Sequence, residues 1–471
     1  MEQHRTPIYQ ALMLFNETNP VSFHVPGHKN GSVFPGYAGK YFDSILKLDM
    51  TELPGLDDLH APEGIIAEAE RLAAGFFKSD HTYFLVGGST AGNLAMILAA
   101  CSAGDGVIVQ RNCHKSIMNG MELSGANPIF IAPEYDAPAG RFTNPSMETL
   151  REALKQYPGV KAVVLTYPDY FGKTYEIKEM IELAHEYHIP VLVDEAHGTH
   201  FSIGDPFPSS ALALGADAVV QSAHKMAPAM TMASFLHMNS EFVSKEKVAH
   251  YLQMIQSSSP SYPLMASLDL ARSFLATLKE DEIKVILQSV SDVKRILQES
   301  EHWELLTVGD PLKLTLHIKN GITAQTVARL FEEQNIYPEL TTHNQILFIH
   351  GLAPLKKLNQ LKKAVKRVNE QLKNMANHDT IEIAKLFQQP IQELALSYAE
   401  MEKSGNKQIQ LNKACGYIAA EAVIPYPPGI PLILKGEKIT ADHVETIESL
   451  RRQGVRIQHR DIDKGLNVFT V

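Results

Sequence analysis

Residues 190–198 read Pro190-Val-Leu-Val-Asp-Glu-Ala-His-Gly198, and residues 216–225 read Ala216-Asp-Ala-Val-Val-Gln-Ser-Ala-His-Lys225. Each segment begins with a short apolar run and ends in polar side chains, which is typical of a buried strand that leads into a loop. Amphipathic segments, such as a predicted helix at 176–187, separate further apolar runs at 83–86, 106–109, 128–131 and 161–165. Strands that alternate with helices predict an α/β fold with a mostly parallel sheet.

The pattern changes before and after this alternating region. Residues 1–60 contain several prolines and no sustained period, so they are predicted to form an irregular N-terminal arm, followed by a large domain at 61–300. Residues 301–471 are predicted to form a small α+β C-terminal domain. Its predicted elements are strands at 313–318 and 345–349, helices at 323–334 and 355–372, and a helical start after Ile381.

Composition limits the class of protein. The chain has 471 residues, 45% hydrophobic and 20% charged, which fits a soluble globular protein and excludes disordered and collagen-like classes. The net charge of −10 disfavours nucleic acid as a main partner. The most apolar stretch, 85–100, is too short to span a bilayer. No secretory signal is recognised and the three cysteines form no C-x-x-C pair, so a cytoplasmic location is predicted.

Three predicted strand ends carry chemistry, because open parallel sheets bind ligands beyond the carboxyl ends of their strands. The first run leads into Gly87-Gly-Ser-Thr-Ala-Gly-Asn93, where backbone N–H groups, hydroxyls and a helix N-terminus favour a phosphate. The other two ends supply Asp194 and Lys225. Taken singly, each could be a tight turn or a capping residue. Together they match the needs of pyridoxal 5′-phosphate (PLP): a lysine for a Schiff base, a carboxylate for the pyridinium nitrogen and a phosphate cup.

The motif set resembles the Orn/Lys/Arg decarboxylases, which have the aspartate-aminotransferase-like PLP fold, and the resemblance covers nearly the whole chain. The matching motifs are Phe23-His-Val-Pro-Gly-His-Lys29, Glu52-Leu-Pro-Gly-Leu-Asp-Asp-Leu-His60, Arg111-Asn-Cys-His-Lys-Ser116, Asp194-Glu-Ala-His-Gly198, Ser222-Ala-His-Lys225, Ser257-Ser-Ser-Pro-Ser-Tyr262 and Pro425-Tyr-Pro-Pro-Gly-Ile-Pro431. The chain resembles the short, biosynthetic-type branch of this family, which implies a role in polyamine biosynthesis.

The resemblance also implies the roles of individual residues. Lys225 would carry the internal aldimine, Asp194 would contact the pyridine nitrogen, and His114 would stack on the ring opposite Ala196. Ser258 would come from the partner subunit, so a homodimer or a higher homo-oligomer is expected. The remaining cofactor contacts implied by the resemblance are Ser89, Thr90 and Ser222 around the phosphate, with His197 and His224 nearby.

The implied reaction is decarboxylation of a dibasic amino acid, with arginine favoured over lysine or ornithine, to CO₂ and agmatine, cadaverine or putrescine. An acidic residue should bind the distal cation of the substrate, and the candidates are Glu52, Asp57, Asp58, Asp169 and Glu421. The chain departs from the usual family pattern beside the cofactor, which leaves the substrate open. The departures are Gly88-Ser-Thr90, Pro168-Asp-Tyr170 and Met226-Ala-Pro-Ala-Met-Thr231.

Other functions fit less of the sequence. A PLP-dependent aminotransferase or another Cα-bond lyase would use the same cofactor residues, and a non-enzymatic PLP-binding paralogue could retain them. Asp194-Glu-Ala-His197 resembles the DEAH box of helicases, which also require a phosphate-binding loop. The only candidate loop ends in Gly172-Lys-Thr174 and has Tyr167 where that motif needs a glycine, so this function is disfavoured. The pair His185 and His188 is not spaced as H-E-x-x-H, so zinc ligation with His197 and His200 is disfavoured and no metal is predicted.

Overall fold

The computed structural model describes residues 2–306, 308–319, 321–373, 387, 389–425, 431–452, 457–458 and 462–470. The helices are, in chain order, α1 (Pro7–Glu17), α2 (Gly39–Leu46), α3 (Ile65–Phe77), α4 (Gly88–Ala100), α5 (Lys115–Ser124), α6 (Met147–Gln156), α7 (Ile177–Glu186), α8 (Ala223–Met226), α9 (Lys245–Ile255), α10 (Tyr262–Thr277), α11 (Glu280–Leu297), α12 (Ala324–Glu332), α13 (Leu358–Leu372), α14 (Tyr398–Lys403) and α15 (Ala441–Arg452).

The strands are β1 (His81–Leu85), β2 (Gly106–Gln110), β3 (Asn127–Ile131), β4 (Tyr135–Asp136), β5 (Arg141–Phe142), β6 (Ala162–Thr166), β7 (Val191–Asp194), β8 (Ala218–Gln221), β9 (Ser234–Met238), β10 (Trp303–Leu306), β11 (Lys313–Ile318), β12 (Leu340–Thr341), β13 (Gln345–Ile349), β14 (Ile391–Glu393), β15 (Gly405–Ile409), β16 (Ile424–Pro425), β17 (Ile457–Gln458) and β18 (Leu466–Thr470). The chain divides into two compact units, Met1–Ala100 with Ala184–Lys279, and Cys101–Leu183 with Glu280–Val471. The predicted domain boundaries at residues 60 and 300 stay predictions.

In the first unit, the strands lie in the order β1-β9-β8-β7. Strands β7 and β8 are parallel, with Asp194 opposite Val220, whereas β9 is antiparallel to both β8 and β1. Strands β1, β7 and β8 therefore point the same way. Their carboxyl ends share one edge with the start of β9, where Ser234 pairs with Leu85. The polar residues that follow β1, β7 and β8 in the sequence lie at this edge.

Helix α4 follows β1 at that edge and lies close to the sheet because Gly92 has no side chain. A Cβ atom at Gly92 would stand 2.7 Å from Cδ1 of Leu85 and 3.0 Å from Cγ2 of Val220. The small residue lets the helix approach, and so the first turn of α4 comes near the ends of the strands.

The prediction of an irregular first sixty residues is wrong for α1 and α2. Helix α1 begins with Pro7, which suits a first helical position, and buries Ile8 and Leu12 one turn apart. A buried ion pair in α10 holds its start: the Asp269 carboxylate accepts a hydrogen bond from the Ile8 N–H at 3.0 Å and pairs with Arg272 at 2.7 Å. Long-range contacts of this kind leave no periodic signal in a short segment.

In the second unit, strands β6, β2 and β3 are parallel and β14 adds to β3 in the opposite direction. Strands β10, β11, β13 and β12 form a separate antiparallel sheet. Along the chain, helix α12 follows β11 and helix α13 follows β13. This sheet with its helices confirms the predicted α+β pattern after residue 300.

The predicted strands and helices agree with the structure to within a few residues. Strand β9 is missed, because its apolar run follows Lys225 too closely for the helical crossover that a parallel strand requires. Residues 426–430 of the Pro425–Pro431 motif and the helical start after Ile381 lie outside the described residues. In the helices that the structure describes, no segment is long and apolar enough to cross a membrane.

Candidate active site

Asp194 ends strand β7 and is held by two neutral donors. The side-chain amide of Asn93 donates to its Oδ2 at 3.0 Å, and the Ala196 backbone N–H donates to its Oδ1 at 3.2 Å. The carboxylate is only 4% exposed and Asn93 only 1%. Neutral donors stabilise a buried carboxylate without cancelling its charge, so Asp194 can still attract a cationic group.

A cluster of hydroxyl groups lies where β8, β9 and α4 meet. Ser89 Oγ is 2.6 Å from Ser222 Oγ and 3.2 Å from Ser234 Oγ. Ser89 belongs to the first turn of α4, whose N–H groups have no acceptor within the helix. Gly88 takes a φ of +72°, which a glycine adopts without strain. Hydroxyls beside a helix N-terminus are suited to an anion.

Gln256 stabilises the loop that precedes this cluster. Its Oε1 accepts hydrogen bonds from the N–H groups of Val86 at 2.7 Å and Gly87 at 3.2 Å. One side chain thereby fixes the backbone between β1 and α4. Thr90, the other predicted hydroxyl of the loop, is exposed.

Lys225 lies in the short helix α8, directly after β8. Its Nζ is 3.2 Å from Nε2 of His197, a residue that follows β7. His197 is buried and Lys225 is half-buried. The neighbouring His224 points Nδ1 at the carbonyl oxygen of Ala233, 3.1 Å away. The structure thus brings Lys225 and His197 together, whereas His224 bonds to the backbone before β9.

Two further predicted site residues are His114 and Ser258. His114 belongs to the second unit and caps helix α5, its Nδ1 accepting from the Ser116 N–H at 3.3 Å. Ser258 is exposed in the segment between α9 and α10. The stacking role of His114, the role of Ser258 in a partner's site and the contacts of Ala196 with a cofactor stay predictions.

Two of the five acidic candidates cap a helix or form an ion pair. Asp57 caps helix α3: its Oδ2 accepts from Gly64 N–H at 2.8 Å and Ile66 N–H at 2.9 Å. Burial alone would raise the pKa of Asp57, but these backbone donors outweigh it and lower the pKa. In the second unit, the Asp169 carboxylate pairs with Arg141 at 2.7 Å.

The remaining candidates are less committed. Asp58 accepts from the His60 N–H at 2.8 Å, Glu421 accepts from the Asn467 N–H at 2.9 Å, and Glu52 is exposed. These contacts do not rank the three residues as partners of a substrate cation.

Sequence reasoning missed three residues of the site. Asn93 carries a signal, since it is a polar residue in the apolar part of α4 that follows the first turn, and such a residue usually needs a buried partner. Ser234 and Gln256 carry no such signal. The role of Ser234 depends on the antiparallel strand β9, and that of Gln256 depends on hydrogen bonds to the distant β1–α4 loop. In the residues that the structure describes, no three His, Cys, Asp or Glu side chains gather as metal ligands do.

Comparison with known proteins identifies the family. Residues 6–315 match the family described as Orn/Lys/Arg decarboxylase, major domain, and residues 377–456 match Orn/Lys/Arg decarboxylase, C-terminal domain. The chain is 43% identical over 461 residues to the uncharacterized protein YaaO of Bacillus subtilis, with 96% of each chain covered. It is 37% identical over 472 residues to the arginine decarboxylase of the same organism, covering 97% of this chain and 96% of that one.

A solved structure shows the same fold. The constitutive lysine decarboxylase of Escherichia coli superposes with a TM-score of 0.81 at 21% identity, covering 99% of this chain and 82% of the other. This likeness confirms the predicted α/β fold class. The major-domain match covers well over half of the chain. The chain therefore belongs to the Orn/Lys/Arg decarboxylase family, and the prediction that it is an amino-acid decarboxylase is confirmed.

Proposed function

We propose that the chain decarboxylates a dibasic amino acid, with arginine favoured over lysine or ornithine, and that it uses PLP bonded to Lys225. The observation that carries the proposal is the grouping of three features at one sheet edge of the first unit. These are the buried Asp194, the Lys225–His197 pair and the hydroxyls around Ser89. The name of the Bacillus subtilis relative favours arginine.

The residues present fit this cofactor. Ser89, Ser222 and Ser234 offer hydroxyl donors beside the N-terminus of α4, as a phosphate requires. Asp194 supplies a buried negative charge for a protonated ring nitrogen. Lys225 supplies a primary amine on the adjacent strand end, where an aldehyde could bond to it.

When bound, PLP supplies a ring that accepts the electron pair left on Cα as CO₂ departs. Asp194 keeps a proton on the ring nitrogen, because an adjacent anion favours the cationic form. Asn93 prevents the carboxylate from turning away, since it donates to Oδ2. The Cα–carboxylate bond breaks, and one proton must then take the place of CO₂ on Cα.

Lys225 is the proposed donor of that proton. Its free amine would hold that proton, and Nε2 of His197 lies 3.2 Å from Nζ, where it could exchange a proton with the lysine. The low exposure of Asp194 and His197 keeps water away from this part of the site and strengthens the charge interactions there. For the distal cation, Glu52, Asp58 and Glu421 are the proposed partners, because Asp57 caps α3 and Asp169 pairs with Arg141.

Product identification tests the proposal. The purified protein, loaded with PLP, is incubated with arginine, lysine or ornithine in turn, and CO₂ and the organic product are measured. We expect CO₂ with agmatine from arginine and slower release from lysine and ornithine. A keto acid in place of CO₂ would show transamination. No turnover of any of the three by a protein that binds PLP would favour the non-enzymatic alternative.

The covalent site is tested separately. Borohydride reduction of the loaded protein should fix the cofactor to the peptide that contains Lys225, and Lys225→Ala should abolish this labelling. Lys115→Ala is the matched control, because Lys115 begins α5 beside the motif histidine His114. Labelling on any other lysine would contradict the assignment.

A further inference from the structure

A continuous chain of hydrogen bonds, buried except at its far end, starts directly beside Asp194. Gln221 Nε2 donates to Oε2 of Glu195 at 2.6 Å, and Gln221 Oε1 lies 3.1 Å from Nε2 of His237. Nδ1 of His237 is 2.8 Å from Thr82 Oγ1, which is 2.7 Å from Ser79 Oγ. We call these five residues, Glu195, Gln221, His237, Thr82 and Ser79, the relay. All of them belong to the first unit.

Each bond in the relay has one donor and one acceptor. Because Gln221 gives its amide hydrogens to Glu195, its oxygen must accept from His237, which fixes the Nε2–H tautomer of that ring. Burial lowers the pKa of His237 to about 3, so the ring is neutral and its Nδ1 accepts from the Thr82 hydroxyl. On both sides of His237, each group therefore donates its hydrogen toward the Glu195 end of the relay.

One end of the relay, formed by Glu195 and Gln221, lies next to the residues proposed for the chemistry. Glu195 follows Asp194 at the end of β7, and Gln221 ends β8 immediately before the turn to Lys225. The second oxygen of Glu195 accepts from the Ala211 N–H at 2.6 Å. The relay thus joins the strand end that carries the carboxylate to the strand end that carries the lysine.

The Glu195 side chain lies directly against Gly198, where any side chain would collide with it. A Cβ atom at Gly198 would lie 2.5 Å from Cγ and 2.9 Å from Cδ of Glu195. The glycine of the Asp194–Gly198 motif leaves room for the glutamate to fold beneath the turn. Glu195 is completely buried, so its place is set by packing as well as by hydrogen bonds.

We infer that Glu195 is a positioning residue, which acts through Gln221 to fix Asp194 relative to the turn that carries Lys225. This inference rests on the proposed function, because it concerns how the two groups meet PLP. Glu195 itself touches neither the substrate nor the cofactor in this scheme. A displacement of about 1 Å between reacting groups can cost about 10²-fold in rate.

Three variants separate positioning from plain stability. Glu195→Met keeps the bulk but removes both acceptors, leaving Gln221 and the Ala211 N–H unsatisfied. Thr82→Val is the matched control: Thr82 is also completely buried and bonds to His237, but at the far end of the relay. Glu195→Gln is the conservative rescue, because Gln221 can turn its amide and His237 can adopt the other tautomer, which reverses the direction of donation.

The readouts are the PLP dissociation constant, the pH midpoint of the bound cofactor's absorbance, kcat, and Tm. Both Glu195→Met and Thr82→Val should lower Tm, since each leaves buried polar groups unsatisfied. Only Glu195→Met should weaken PLP binding about tenfold, shift the absorbance midpoint and lower kcat by about 10²-fold. Glu195→Gln should retain PLP affinity and the midpoint close to wild type.

The inference is wrong if Glu195→Met and Thr82→Val lose similar Tm and leave PLP affinity and the absorbance midpoint unchanged. If Glu195→Met yields no folded protein, Glu195→Asp replaces it. Its shorter side chain cannot reach both Ala211 and Gln221, and unchanged PLP affinity and midpoint there would equally refute the inference. Failure of the wild-type protein to bind PLP would instead contradict the proposed function, so the two failures are distinguishable.

Discussion

Asp194 illustrates how neighbouring groups hold a single side chain in place. Its two oxygens accept hydrogen bonds from Asn93 and from the Ala196 backbone, which fixes the plane of the carboxylate. Both donors are neutral, so the negative charge stays available in a buried setting. A cationic ring nitrogen is the complement that such a charge favours.

Replacing Asp194 by asparagine should lower kcat by about 10²–10³-fold, because the side chain loses its charge at the point where a preorganised contact stabilises the transition state. PLP binding should fall less, since the hydroxyl cluster and Lys225 are unchanged. Steady-state kinetics and cofactor titration measure the two effects. Asn93→Ala is the control, because it removes a hydrogen bond but leaves the charge, and its kcat should fall much less. A kcat within about threefold of wild type for Asp194→Asn would indicate a capping role instead.

Sequence reasoning could propose Asp194 and Lys225 because both stand at the ends of apolar runs, which is a local pattern. It could not locate Ser234, whose position beside Ser89 depends on an antiparallel strand. Nor could it locate Gln256, which reaches the β1–α4 loop from the end of α9. Residues whose roles arise from pairing between distant segments have no signature in a single sequence.

Helix α3 shows the same dependence on distant contacts. Its N-cap is Gly64, which has no side chain to cap the helix, and Asp57 supplies the acceptors from the preceding loop. The sequence suggested Asp57 as a candidate for the substrate's distal cation. In the structure, the Asp57 carboxylate accepts hydrogen bonds from the backbone at the start of α3, so we favour a structural role for Asp57.

Asp57→Ala should lower the free energy of unfolding by about 1 kcal/mol, the usual value of a lost cap, and leave KM for the amino acid nearly unchanged. Because the pKa of Asp57 is lowered in the folded protein, its contribution is fully present above its ordinary value and is lost as the pH falls through the folded value. Urea denaturation at pH 7 and pH 3 should show the difference shrinking in acid. A KM raised about tenfold with unchanged stability would return Asp57 to the substrate site.

Several large apolar side chains near the N-terminus are exposed. Phe23 and Tyr37 are each 93% exposed, Val21 is 82% exposed and Tyr41 is 78% exposed. Side chains of this kind, close together in one segment, are typical of a surface that is covered in an assembly. They support the proposal of a homodimer in which Ser258 reaches the partner's cofactor.

Dilution should therefore release PLP in step with dissociation into monomers, because each site would lose a phosphate contact. Analytical ultracentrifugation and cofactor absorbance at matched concentrations measure the two processes. Ser258→Ala should weaken PLP binding several-fold in the dimer, whereas Ser259→Ala, a change at the exposed neighbouring serine, should not. A monomer that holds PLP as tightly as the dimer would refute the shared site.

Stability of the chain should also depend on pH through Glu70. Burial raises the pKa of this carboxyl to about 8, although the Phe84 N–H, which donates to its Oε1 at 3.0 Å, opposes the rise. Between its ordinary value of 4.5 and about 8, the folded state holds a proton that the unfolded state has released. The folded state binds more protons, so the free energy of unfolding falls as the pH rises through this window.

Glu70→Gln should remove that dependence, because glutamine is neutral at every pH and its oxygen can still accept from Phe84. The variant should match the wild type near pH 4 and exceed it at pH 8 by an amount on the order of 1 kcal/mol or more, as a raised pKa implies. Urea denaturation at several pH values measures the difference.

Glu63→Gln, which makes the same charge change at an exposed position, should show no such trend. Glu195, whose pKa burial also raises to about 8, is present in both proteins and cancels in the comparison. Parallel stability curves for Glu70→Gln and the wild type from pH 4 to pH 8 would show that folding does not raise the pKa of Glu70.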